Sequence, residues 1–86
     1  MKELARILKA LASERRLIIV RYLKTHQEAP VGELADNIHL SFRSTSKHLG
    51  VLASADLVER EQRSKQVYYR LAQDAKRLAR TIINLI

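Results

Sequence analysis

Eighty-six residues, no cysteine, a formal net charge of +7 and a pI near 10.3 exclude disulfides, thiolate metal centres and a two-domain architecture. A chain this short buries only roughly 60–65% of its unfolded surface, so a homodimer is the simplest way to complete its core. The positive field attracts polyanions, which favours nucleic acid over an anionic membrane surface or a simple solubility surplus. No segment has the length and apolar continuity of a membrane span, and the first ten residues lack the apolar centre of a signal peptide. A cytoplasmic protein with no membrane partner is therefore expected.

The first helix is predicted from Lys2 to Leu11, where Leu4, Ile7, Leu8 and Leu11 recur at helical spacing. Ser13 is placed to cap a second helix ending near Thr25. Its run Leu17, Ile18, Ile19, Val20 is apolar on most sides, which suits a central helix. The β-branched content also allows a strand, but the helix formers on either side argue against one. Glu28-Ala29-Pro30 breaks the pattern, because Pro30 cannot continue a helix and restrains Ala29. A short helix then runs from Val31 to Ile38 with Leu34, Ala35 and Ile38 on one face. The turn falls on residues 37–40, and Ser41 caps a fourth helix from Phe42 to about Ser54.

From residue 57 to 71 the period changes to two. Val67, Tyr69 and Leu71 share one strand face, with Tyr68 and Arg70 on the other. Arg63-Ser64-Lys65 is the expected hairpin tip, and with no glycine there a longer or mobile tip is expected. A last helix carries Leu71, Ala75, Leu78, Ile82 and Leu85 in steps of four and three. The fold class is thus mainly α with a two-stranded β wing, in the order ααααββα: a single winged helix-turn-helix domain over residues 1–86.

On a helical wheel, Thr45, Leu49 and Leu52 of the fourth helix face the core. Arg43, Ser46, Lys47 and Gly50 cluster opposite, flanked by Ser44 and His48. Arg43 suits bidentate bonds to guanine, and Ser44, Ser46 and Lys47 suit phosphates or base edges. Gly50 allows close backbone approach. Taken alone, Arg43 and Lys47 describe any solvated helix face; the short helix before them and the basic hairpin after them favour DNA. Phe42 lies near the core face of the wheel, which favours packing, although the first helical turn also points at a groove. His48 reads as a partly buried polar residue or a phosphate contact. No HxH or HxxxH spacing joins His26, His39 and His48, so no metal and no other cofactor is expected. In the hairpin, Arg60, Arg63, Lys65 and Arg70 stand against Glu59 and Glu61. Arg63, Lys65 and Gln66 are placed to reach flanking backbone or a minor groove. The same charges would keep an exposed edge ribbon soluble. Tyr68 and Tyr69 are expected to pack rather than stack on bases. The candidate DNA-binding set is Ser41, Phe42, Arg43, Ser44, Ser46, Lys47, His48, Arg63, Lys65 and Gln66.

LKALASERRLIIVRYL (residues 8–23), VGELAD and LSFRSTSKHLGVLASADLVEREQRSKQVYYRL together resemble the ArsR family of winged helix-turn-helix repressors, over most of the chain. SFRSTSKHLGVLASADLV (residues 41–58) is the most specific part. The resemblance implies a homodimer joined through its first and last helices, which assigns Leu4, Ile7, Leu8, Leu78, Ile82 and Leu85 to the interface. It also implies an imperfect palindromic operator in double-stranded DNA and an inducer that weakens binding. Members that sense soft metals carry cysteines where this chain has Pro30, Val31 and Gly32. Others use Asp and His pairs on the last helix, where this chain has Asp74 and no histidine. Metal sensing is therefore rejected, leaving a small organic molecule, a partner protein or the chain's own concentration as the signal. Phe42 replaces a small or polar residue, and the usual wing-tip glycine is missing. The alternative is a winged-helix module that meets an acidic protein or binds nucleic acid without sequence preference. An enzyme is not expected: no Ser/His/Asp set, paired carboxylates or glycine-rich phosphate loop occurs.

Overall fold

The computed structural model describes residues 1–75 and 77–86. Its elements are α1 (Lys2–Leu11), α2 (Glu14–His26), β1 (Glu28–Pro30), α3 (Val31–Ile38), α4 (Phe42–Ser54), β2 (Val58–Arg63), β3 (Gln66–Leu71) and α5 (Arg77–Asn84). The helices meet in one apolar core. Ile19, Val20 and Leu23 of α2 are buried at its centre with Leu34 of α3 and Leu49 and Leu52 of α4. The helical reading of the β-branched run in α2 therefore holds.

Caps set the helix starts. The Ser13 hydroxyl accepts from the Arg16 N–H at 3.3 Å, and the Ser41 hydroxyl accepts from the Ser44 N–H at 3.1 Å. Ser41 also offers its carbonyl to the buried Thr45, whose hydroxyl donates to it at 2.8 Å. Ser41→Ala is expected to cost about 1 kcal/mol of stability, read as a lower denaturant midpoint with an unchanged slope.

Two helices end in the same way. His39 follows α3 in the left-handed conformation, and the Leu40 N–H reaches back to the Ala35 carbonyl at 3.1 Å. Asp56 follows α4 at φ 59°, and the Leu57 N–H reaches the Leu52 carbonyl at 3.0 Å. Both are six-to-one closures that reverse the chain and satisfy terminal carbonyls. The first swings the chain from α3 into α4; the second swings it from α4 into the wing.

The wing departs from expectation in three ways. It has three antiparallel strands in the order β1-β3-β2, because Glu28, Ala29 and Pro30 pair with Arg70, Tyr69 and Tyr68. The predicted break is thus an edge strand, a position where a proline costs no ladder bond. The tip is tight: Arg63 pairs with Gln66, and Ser64 takes a positive φ of 57° in place of glycine. Leu71 is the last residue of β3, and Ala75 precedes α5. The helical stripe therefore reduces to Leu78 and Ile82, with Leu85 just beyond. No helix among the described residues is long and apolar enough to cross a membrane. The architecture is a winged helix-turn-helix.

Candidate nucleic-acid interface

Helix α4 is held from behind and leaves its other face open. Thr45, Leu49 and Leu52 are buried, as the wheel requires. Arg43, Lys47 and Gly50 are exposed, with Ser44 and Ser46 half-buried beside them. Arg43 and Lys47 form no ion pair or side-chain hydrogen bond among the described residues, so both charges are available to a ligand.

Two arginines that the sequence reading passed over clamp this helix. Arg6 of α1 donates to the Ser54 carbonyl at 3.0 Å and to the Asp56 carboxylate at 3.3 Å, bracing the C-terminal end. Arg16 of α2 donates to the Ala10 carbonyl at 2.6 Å and to His48 Nδ1 at 3.1 Å, bracing the middle. Arg16 lies 32 residues before His48, and no local pattern in the sequence announces such a contact.

The bond to Arg16 fixes the state of His48. A guanidinium only donates, so Nδ1 accepts and the ring proton sits on Nε2. That leaves Nε2–H as a donor without a partner among the described residues. Burial, then the charges of Arg16 and Arg15, hold the ring's pKa below its ordinary 6.5. As pH falls through 6.5 the unfolded chain therefore takes up its proton first. The stability this site contributes above that pH declines as pH drops toward the lower folded value. Unfolding midpoints measured between about pH 8 and about pH 5 are expected to fall for the native chain and to fall less for His48→Gln.

Phe42 is 63% exposed, which corrects the packing expectation. It is the first residue of α4, directly after the Ser41 cap. It lines a crevice of about 220 Å³ with Pro30, Val31 and Gly32 of the β1–α3 junction and with Lys65 and Gln66 of the wing tip. The start of α4 and the tip of the wing therefore border one surface.

The wing's charges divide into two groups. On its outer face Arg63 forms a bidentate pair with Glu28 at 2.7 and 2.8 Å and reaches Glu61 at 3.0 Å. Arg70 bridges Glu61 at 3.0 Å and Glu59 at 3.3 Å, and the Arg63 guanidinium lies 4.5 Å from the centre of the Tyr68 ring. The Arg63 hydrogen bonds hold the Glu28 carboxyl below its usual range; Arg63 and then Arg70 do the same for Glu61. Arg63 is thus already engaged within the chain, a feature its sequence position did not reveal. Lys65 and Gln66 are exposed at the tip, and Arg60 is exposed on the opposite face. Tyr69 is buried, as expected.

Of the residues assigned to the dimer, Ile7 is 3% exposed and packs in the chain's own core, a correction that follows from its side of α1 facing inward. Leu4 and Leu8 are exposed on the other side of α1, Leu78 and Ile82 are half-buried, and Leu85 is exposed. Among the described residues no group of three or more His, Cys, Asp or Glu is gathered as a metal site.

Comparison with known proteins agrees with this geometry. The chain is 39% identical over 72 residues to the biofilm growth-associated repressor of Agrobacterium fabrum, covering 84% of this chain and 61% of that protein's length. Reduced HlyU from Vibrio cholerae superimposes with a TM-score of 0.83 at 33% identity, over 98% of this chain and 84% of that one. The homodimeric winged helix-turn-helix DNA-binding domain Mb0332 of Mycobacterium bovis gives 0.83 at 31% identity, over 98% and 74%. Residues 13–60, the stretch from the Ser13 cap through the helix-turn-helix into the wing, match the profile of the bacterial regulatory proteins of the arsR family, and the chain belongs to that family.

Proposed function

We propose that the chain is a sequence-specific double-stranded DNA-binding repressor, acting as a homodimer on an inverted-repeat operator. The observation that carries this is α4: braced on its inner side by Arg6 and Arg16, it offers unpaired Arg43 and Lys47 on its outer side. Ser44, Ser46 and His48 flank those charges, and Ser41 and Phe42 begin the helix. Lys65 and Gln66 at the wing tip border the same surface and reach toward flanking DNA; Arg63 acts there by holding the tip in place. The apolar residues left uncovered, Leu4 and Leu8 on α1 and Leu85 after α5, with the open sides of Leu78 and Ile82, are the surface for a second copy. Support for the pairing comes from the homodimeric state of the similar Mycobacterium bovis domain, and support for repression from the similar Agrobacterium repressor. Release from the operator is assigned to a small organic molecule, a partner protein or the chain's own concentration.

Selection of duplexes from a random library, followed by sequencing, tests the proposal. An inverted repeat with half-sites about 10–11 bp apart, or a multiple of that spacing, is expected. If a dimer neutralises about 6–8 phosphates, log affinity should fall against log salt with a slope near −5 to −7. A folded dimer that enriches no sequence would overturn the proposal in favour of a protein-binding module.

A further inference from the structure

Phe42 is a large apolar side chain, 63% exposed, that belongs to neither the core nor the proposed dimer surface. Leu4, Leu8 and Leu85 lie on the surface given to the second copy. Val51 lines a crevice between α1 and α4 with Arg6 and Arg16. Phe42 instead stands next to Arg43 on the helix and lines a crevice with Glu33, Lys65 and Gln66. An aromatic ring exposed beside Arg43 and Lys65 suits a ligand that is anionic at its edge and apolar at one point.

We infer that Phe42 is a specificity residue that reads the 5-methyl group of a thymine in the major groove. This rests on the DNA-binding function proposed above. The first residues of a recognition helix are those that meet base edges, and Phe42 is the first residue of α4. Its ring carries no hydrogen-bonding group, so it cannot satisfy the donors and acceptors of guanine, adenine or cytosine. Placed against any of those edges it would strip water from a polar atom and return nothing. Thymine alone presents an apolar group in the major groove. The ring therefore selects thymine over cytosine at one step, while Arg43 beside it supplies the hydrogen bonds at the next. A closed duplex covers its base faces, so contact with the methyl edge is the one that needs no unstacking.

Single replacement of each thymine in the selected operator by deoxyuridine removes one methyl group and no hydrogen bond. With the native chain, one position in each half-site is expected to lose about fourfold in affinity, the effect of one buried methyl group. With Phe42→Ala, whose side chain is exposed and whose folding is checked by its unfolding midpoint, that loss should vanish, and so should the preference for thymine over cytosine there. The inference is overturned if no thymine methyl matters to the native chain, or if its effect is the same in Phe42→Ala. It is equally overturned if Phe42→Ala binds the operator unchanged and loses a protein partner instead. Recovery of an operator with any of these results leaves DNA binding standing; failure to recover an operator removes both.

Discussion

Alanine at both Arg43 and Lys47 is expected to lower operator affinity by about 100-fold or more and to remove the preference for guanine, leaving only the thymine step assigned to Phe42. A bidentate arginine–guanine contact contributes about 1–3 kcal/mol of discrimination, and a homodimer makes it twice. Lys47 adds charge against the backbone, so the salt slope should also become shallower by about one for each phosphate that the variant no longer neutralises. Both side chains are exposed and unpaired among the described residues, so their removal costs the fold little; surface changes of this kind stay within about 0.5 kcal/mol. Titration of the selected operator at two salt concentrations measures the first effect, and sedimentation with thermal unfolding measures the second. A double variant that remains a folded dimer and still distinguishes guanine in its operator would place the reading surface elsewhere.

Leu49→Ala attacks the same helix from its other side. Leu49 is fully buried and belongs to the central cluster. Its truncation is expected to cost about 2–5 kcal/mol, from lost apolar transfer and from the cavity left behind. A domain of this size holds only about 4–13 kcal/mol in total. The variant should therefore lose a large share of its stability and unfold at temperatures where the native chain still binds DNA. Leu49→Met keeps the volume and should cost under about 1.5 kcal/mol. Denaturant unfolding of the two variants separates this from the Arg43/Lys47 case, where binding falls and stability does not.

Much of the fold was legible because the helices state themselves twice, in apolar spacing and in caps. Ser13 and Ser41 mark the starts of α2 and α4, and Thr45, Leu49 and Leu52 mark the buried face of α4. What escaped depends on partners far along the chain. Three residues are too few to show a period, and Glu28-Ala29-Pro30 becomes a strand because β3 offers it a free edge. Leu71 satisfies both a strand of period two and a helical stripe; pairing with Val58 decides for the strand. Phe42 sits at a wheel angle near the core, but a helix's first turn projects beyond what its later turns bury. Ile7 shares a stripe with Leu4 and Leu8, yet α1 is rotated so that Ile7 faces inward. Arg63 reads as a free tip charge until Glu28, 35 residues earlier, is brought beside it.

The charge ladder on the outer face of the wing bears on how binding would proceed. Arg63 ties β2 to Glu28, the first residue of β1, and β1 runs directly into α3. The wing is thereby fastened to the front of the helix-turn-helix rather than hanging from a flexible hairpin. Individually such half-exposed pairs contribute little stability, but together they remove freedom that the tip would otherwise lose on meeting a ligand. Docking should then proceed nearly as a rigid body, with little ordering entropy opposing it. The heat-capacity change would reflect the contact surface alone, without the added signature of a folding loop. Glu28→Gln would loosen that fastening, and its effect should appear mainly as a less favourable entropy of association.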